Sequence, residues 1–209
     1  MFTRSPYHRY NLRRNPFGEL TRDERAELAI VDVAPWVEYL ANRRAVLQLI
    51  GPCGHGKTTH LLALERAMPG MSYVYLPEEA PRPRVDTQRP MIVDEAQRMS
   101  WWQLRSVLRN GGPLVFGTHR DLSKPIRRAG LYVQTVEVGR QMTAPRLMQI
   151  LNRRIEASRL TRSPTPRITE ACAVRLQLVF GADVRAIEQH LYDQFQRCVS
   201  EQKPWPLAH

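Results

Sequence analysis

Along the first part of the chain, short apolar runs alternate with stretches of helical periodicity; after Thr143 only helical periodicity remains. AVLQLI (Ala45–Ile50), SYVYLP (Ser72–Pro77), MIVDEA (Met91–Ala96), PLVFGTH (Pro113–His119) and LYVQTVEV (Leu131–Val138) read as buried strands. Between them, TRDE at Thr21–Glu24 and SWWQ at Ser100–Gln103 are capping boxes that open helices. Pro35 interrupts the first helix, and a second helical piece runs through WVEYLANRR. HLLALERAM, from His60, predicts a helix with Leu61, Leu62 and Leu64 inward, and Gly111-Gly112 stops the helix begun at Ser100. Beyond Thr143, Leu147, Ile150, Leu151 and Ile155 recur at helical spacing. A further helix covers Thr169–Phe180, and the last places Val184, Ile187, Leu191 and Phe195 on one face. Strands alternating with helices predict a three-layer αβα fold on a parallel, five-stranded sheet, followed by a small helical domain. The expected divisions are an irregular arm at 1–20, an α/β domain at 21–141, a helical domain at 142–200 and a loose tail at 201–209.

The join between the first strand and the next helix carries the chemistry. GPCGHGKTT fits the phosphate-loop pattern G-x-x-x-x-G-K-[ST] through Gly51, Gly56, Lys57 and Thr58. Glycines let backbone N–H groups approach an anion, and the helix beginning near Lys57 adds the positive end of its dipole. The whole loop, Gly51, Pro52, Cys53, Gly54, His55, Gly56, Lys57, Thr58 and Thr59, is therefore expected at a nucleotide's phosphates. Lys57 reaches the β- and γ-phosphates, and Thr58 sits on Mg²⁺. The side chains of Cys53 and His55 fill variable positions and read as bystanders.

Asp94 and Glu95 follow an apolar run at a strand end, which resembles the second ATPase motif, Walker B. In that pattern Asp94 holds Mg²⁺, directly or through water, and Glu95 polarises the attacking water. PLVFGTH puts Thr118 at the next strand end as a candidate to orient that water, with His119 as its substitute. Arg127 and Arg128 precede the fifth strand, where one of them is a candidate arginine finger for a neighbouring subunit. Arg185 stands early in the last helix, as a candidate to fold back on the phosphates.

Composition adds a partner class. At 43% hydrophobic residues the chain is globular, and it has no apolar run long enough to span a bilayer. The basic start, MFTRSPYHRYNLRRNPF, lacks the apolar core of a secretory signal. Cys53, Cys172 and Cys198 are few and far apart, which predicts a reducing cytoplasm and no metal cluster. The net charge of +11, mostly from arginine, favours polyanions and nucleic acid in particular.

Taken in order, these motifs resemble the AAA+ ATPases: a Walker A loop, an Asp-Glu Walker B, a polar strand end, a pre-strand arginine and a lid G-x-x-x-R. The resemblance runs from NPFGEL at Asn15 to about Gln196, and looks most like compact bacterial ATPases allied to the initiator and transposition groups. It implies a P-loop NTPase domain with a C-terminal helical lid, ATP and Mg²⁺ as ligands, and a homo-oligomer with ATP between subunits. It also implies that the arm passes the adenine, making Pro16 and Phe17 candidate base contacts. Duplex DNA or a DNA-bound protein is the implied partner, with no membrane.

One departure limits the resemblance. Between Lys57 and Asp94 there is no room for a full helix joining strands 2 and 3, only a basic loop with Arg82, Arg84 and Arg89. This argues against a peptide-threading unfoldase and leaves those arginines as candidates for DNA phosphates or as solvated loop charges. Two other readings use the same loop. One is a nucleotide-gated assembly module with negligible turnover that recruits a protein partner; the other is a P-loop phosphotransferase, which needs an acceptor site.

Overall fold

The computed structural model describes residues 5–79, 83, 85, 90–140 and 142–205. Arg82, Arg84 and Arg89, candidates for DNA phosphates, lie outside the described residues. The chain forms two compact units, Val31–Gly139 and Met1–Ile30 with Arg140–His209.

In the first unit the strands are β1 (Ala45–Ile50), β2 (Ser72–Tyr75), β3 (Met91–Asp94), β4 (Leu114–Thr118) and β5 (Tyr132–Glu137). They form one sheet in the order β2-β3-β4-β1-β5, and every neighbouring pair is parallel. Strand period two divides their side chains between two cores. Ala45, Leu47, Leu49, Ile92 and Val115 pack with Leu61 and Leu64 on one face. Val46, Met91, Val93, Leu114 and Phe116 pack with Val107, Leu108 and Ile126 on the other.

The first face is covered by α2 (Ala34–Leu40) and α3 (Lys57–Ala67), the second by α4 (Trp101–Arg109) and α5 (Ser123–Arg128). This is the expected αβα sandwich. Pro35 sits in the first turn of α2, where its missing N–H costs nothing, so it starts that helix. The Ser100 capping box forms as expected. The sequence pattern does not show α5, because SKPIRR places a proline inside a short helix with one buried apolar residue, Ile126.

In the second unit, α1 (Arg22–Glu27) opens on the expected Thr21 capping box. It is grouped with α6 (Ala144–Ala157), α7 (Glu170–Phe180) and α8 (Val184–Ser200). Their core contains Leu147, Leu151, Ile155, Leu176, Ile187, Leu191 and Phe195. It also takes Tyr10, Leu12 and Phe17 from before α1, and Trp205 from after α8. The stretch expected to be a loose tail is thus tied down at Trp205, which is buried against Phe17 and Phe195. Among the described residues no helix is long and apolar enough to cross a membrane.

Candidate functional site

Parallel register brings three carboxyl strand ends together. Ile50 pairs with Thr118 and Val93 with Phe116, so the loop after β1, the end of β3 and the end of β4 share one edge of the sheet. The loop turns into α3 at Gly56, whose φ of 90° is open to glycine and strained for other residues. Lys57 follows, buried, with Nζ donating to Gly51 O at 2.7 Å and Pro52 O at 2.9 Å.

Asp94 is fully buried and closely held. Its Oδ2 accepts from Thr58 Oγ1 at 2.8 Å and from the Tyr73 hydroxyl at 2.9 Å, and its Oδ1 accepts from Glu95 N at 3.0 Å. Gly117 in β4 makes room for it, since a Cβ there would come within 2.7 Å of Asp94 Oδ1 and of Leu61 Cδ1. Neither Tyr73 nor Gly117 is marked by a motif; each matters only once β2, β3 and β4 are aligned.

Glu95 leaves the strand with φ 62°, a left-handed conformation that costs a non-glycine residue energy and ends β3 before the expected Ala96. Its carboxylate is gripped from several sides. Gln97 Nε2 donates to Oε2 at 2.7 Å, Arg98 lies 3.3 Å from Oε2, and His119 Nε2 lies 3.3 Å from Oε1. The same His119 Nε2 is 3.3 Å from Lys57 Nζ. As an acceptor from Lys57 this nitrogen must be unprotonated; as a donor to Glu95 it must carry the proton. His119 can therefore serve one neighbour or the other, according to where its proton sits.

Thr118 stands apart from this group. Its hydroxyl donates to Arg120 O at 2.9 Å and accepts from Arg120 N at 3.0 Å, so it closes the turn after β4. His119, the substitute, is the residue at this strand end that reaches Lys57 and Glu95. Its backbone N–H is fixed by Gln97 Oε1 at 3.2 Å.

The remaining expected residues divide by place. Pro52 and Cys53 are exposed on the loop, and Gly54, His55, Thr58 and Thr59 are half-buried. Arg127 and Arg128 are exposed at the end of α5. Arg127 O accepts from Gly130 N at 2.9 Å, while Gly130 O accepts from Arg44, the residue before β1. They therefore lie at the amino edge of the sheet, across from their own chain's phosphate loop. Pro16 and Phe17 are buried anchors of the helical unit: Pro16 O accepts from Arg154 Nε at 2.9 Å, and the Phe17 ring packs 5.7 Å from Trp205. They are held as core residues, and Phe17 is only 5% exposed, which leaves little of its ring for a base. Arg185 is exposed in the first turn of α8.

Gln48, the one polar residue of β1, belongs to no motif and is fully buried. Its Nε2 lies 2.9 Å from Asp121 Oδ1, 3.2 Å from Ser123 Oγ and 3.0 Å from Thr135 Oγ1, and its Oε1 accepts from Leu122 N at 2.6 Å. It ties the turn after β4 and the start of α5 to the central strand. Asp121 is held below the usual carboxylate range by the Ser123 side chain, then by Ser123 N–H and the Gln48 amide.

The donors fit a hard divalent cation with a phosphorylated ligand. Thr58 and Asp94 offer adjacent oxygens, and Mg²⁺ commonly takes few protein oxygens and completes its sphere with water and phosphate. Among the described residues no group of three His, Cys, Asp or Glu side chains could hold a metal by itself.

No protein-family model matches the sequence, and neither does any curated protein sequence. Among solved structures the chain is similar to the Thermotoga maritima RuvB Holliday junction branch migration motor. The two are 19% identical with a TM-score of 0.52, over 91% of this chain and 65% of that one. The chain thus spans just under two thirds of the RuvB chain. The likeness shows the fold alone, an αβα sandwich on a parallel sheet.

Proposed function

We propose that this protein binds and hydrolyses Mg-ATP, assembles with copies of itself, and acts on DNA or a DNA-bound partner in the cytoplasm. The observation that carries this reading is the gathering of Lys57, Thr58, Asp94, Glu95 and His119 at one strand edge. The initiator and transposition groups are the affiliation within the fold that this reading favours.

The loop N–H groups and Lys57 bind the phosphates, with Lys57 moving from its carbonyls onto the β- and γ-oxygens. Thr58 and Asp94 hold Mg²⁺, which when bound neutralises charge on the phosphates. Glu95 orients the water that attacks the γ-phosphorus in line, and its grip by Gln97 and Arg98 keeps it aimed. His119, within 3.3 Å of both Lys57 and Glu95, takes the place proposed for Thr118 as the strand-end residue beside that water. Arg127 or Arg128 serves the site of the adjacent subunit, because each stands at the far edge from its own loop. Arg185, early in α8, is a proposed contact for the phosphates. The net charge of +11 supports a polyanionic partner, bound mainly through phosphates and sensitive to salt.

The test is phosphate release per subunit, measured across protein concentration with and without duplex DNA. The reading expects turnover to rise with both. Turnover that ignores DNA removes the nucleic acid and turns the search to a protein partner. Nucleotide-driven assembly without turnover favours the assembly module, and phosphate appearing on an acceptor molecule favours the transferase.

A further inference from the structure

α4 opens with two adjacent tryptophans that are 59% and 75% exposed, Trp101 and Trp102. The helix does not need them for its own seat, because Val107 and Leu108 supply the side buried against the sheet. Side chains of this size normally carry a large share of burial energy, so leaving two in water calls for another use. The rings meet edge to face at 4.6 Å, which stands them at a steep angle with ring surface in solvent. The Arg105 guanidinium lies 5.2 Å from the centre of the Trp101 ring. Trp101, Arg105 and Arg109 follow at four-residue spacing, so they share one helix face, and all are exposed. α4 contains no Asp or Glu.

A π-rich platform beside an arginine stripe complements flat rings joined by phosphates. Bases stack on aromatic faces, and phosphates pair with guanidinium forks. In a duplex the bases stack on each other, so an aromatic platform is useful only where they are unpaired. A protein partner would also use tryptophan and arginine. The absence of any carboxylate on the helix, in a chain of net charge +11, favours the polyanion.

We propose that the exposed face of α4 binds an unpaired nucleic-acid strand, with Trp102 stacking on a base and Arg105 and Arg109 engaging phosphates. This rests on the nucleic-acid reading above and specifies its surface and strand state.

The probes are a labelled thymidine homopolymer and a mixed-sequence duplex, each titrated into the full-length protein. Binding is read by anisotropy and by quenching of tryptophan fluorescence. Wild type is expected to bind the single strand with quenching. Trp102→Ala should weaken that binding about tenfold, and Trp102→Phe should retain most of it. Arg105→Ala should weaken it and lower the slope against log salt by about one. Because Trp102 is exposed, the alanine variant should keep the wild-type melting temperature and basal ATP turnover. Equal single-strand affinity in wild type and Trp102→Ala overturns the proposal. Wild-type binding to duplex alone also overturns it, yet leaves DNA as the partner. Binding to neither probe overturns both readings and assigns the tryptophans to a protein.

Discussion

The α/β unit and the helical unit are assembled by different logic. At the carboxyl edge of the sheet, each group facing the candidate site comes from a strand, the turn after it or the first turn of the helix that follows, and parallel register brings these ends together. The helical unit closes its core with residues from far ends of the chain. Tyr10 donates to Cys198 O and Lys203 O, Asn15 Nδ2 donates to Tyr192 O at 3.1 Å, and Phe17 packs on Trp205. Buried Arg154 adds Pro16 O, Gly18 O and the Glu188 carboxylate. Chemistry therefore sits where short motifs can specify it, while the helical unit's stability depends on partners that no local pattern announces.

Substitutions can break this contrast from either side. The largest expected effect is on stability: Trp205→Ala opens the helical core and should cost about 3–5 kcal/mol. Hydrogen exchange should show protection lost in α6–α8 while β1, β3 and β4 keep theirs; uniform loss would mean the two cores are not separate. Next, Lys57→Ala should cut ATP turnover by roughly 100-fold or more, with the melting temperature unmoved in calorimetry. Gly117→Ala should be smaller. By pressing on Asp94 it should weaken Mg-nucleotide affinity by about tenfold, and equal affinity would show that the strand yields without moving the carboxylate.

The smallest effect is the pH response of the α5 anchor. Asp121 has a folded pKa below its unfolded value, so its contribution is present above the unfolded pKa and fades as pH falls through the folded one. The gap in melting temperature between wild type and Asp121→Asn should therefore narrow below about pH 4. A gap constant from neutral pH down would assign it to lost hydrogen bonds alone.

The same contrast decides what could be read beforehand. β1, α3 and both capping boxes were legible because apolar period and cap chemistry are local. Strand order was not, since it depends on which distant strands pair. Gln48 stands inside an apolar run with nothing local to mark it and is a buried hub, because its partners arrive from β5 and the turn after β4. Thr118 and His119 were both candidates, and only the turn geometry divides them: the threonine hydroxyl is consumed by Arg120, leaving the histidine facing Lys57 and Glu95. Phe17 and Trp205 misled in opposite ways. An arm residue expected at a base is core, and a proline-flanked tryptophan expected in a loose tail is buried against it.

The most direct measurement is ATP binding and phosphate release by Glu95→Gln beside wild type. The substitution keeps the shape and the Gln97 and Arg98 surroundings while removing the carboxylate's charge. The account predicts wild-type nucleotide affinity with turnover reduced about 100-fold or more. Unchanged turnover would contradict it and remove Glu95, and with it the assigned hydrolytic geometry, from the mechanism.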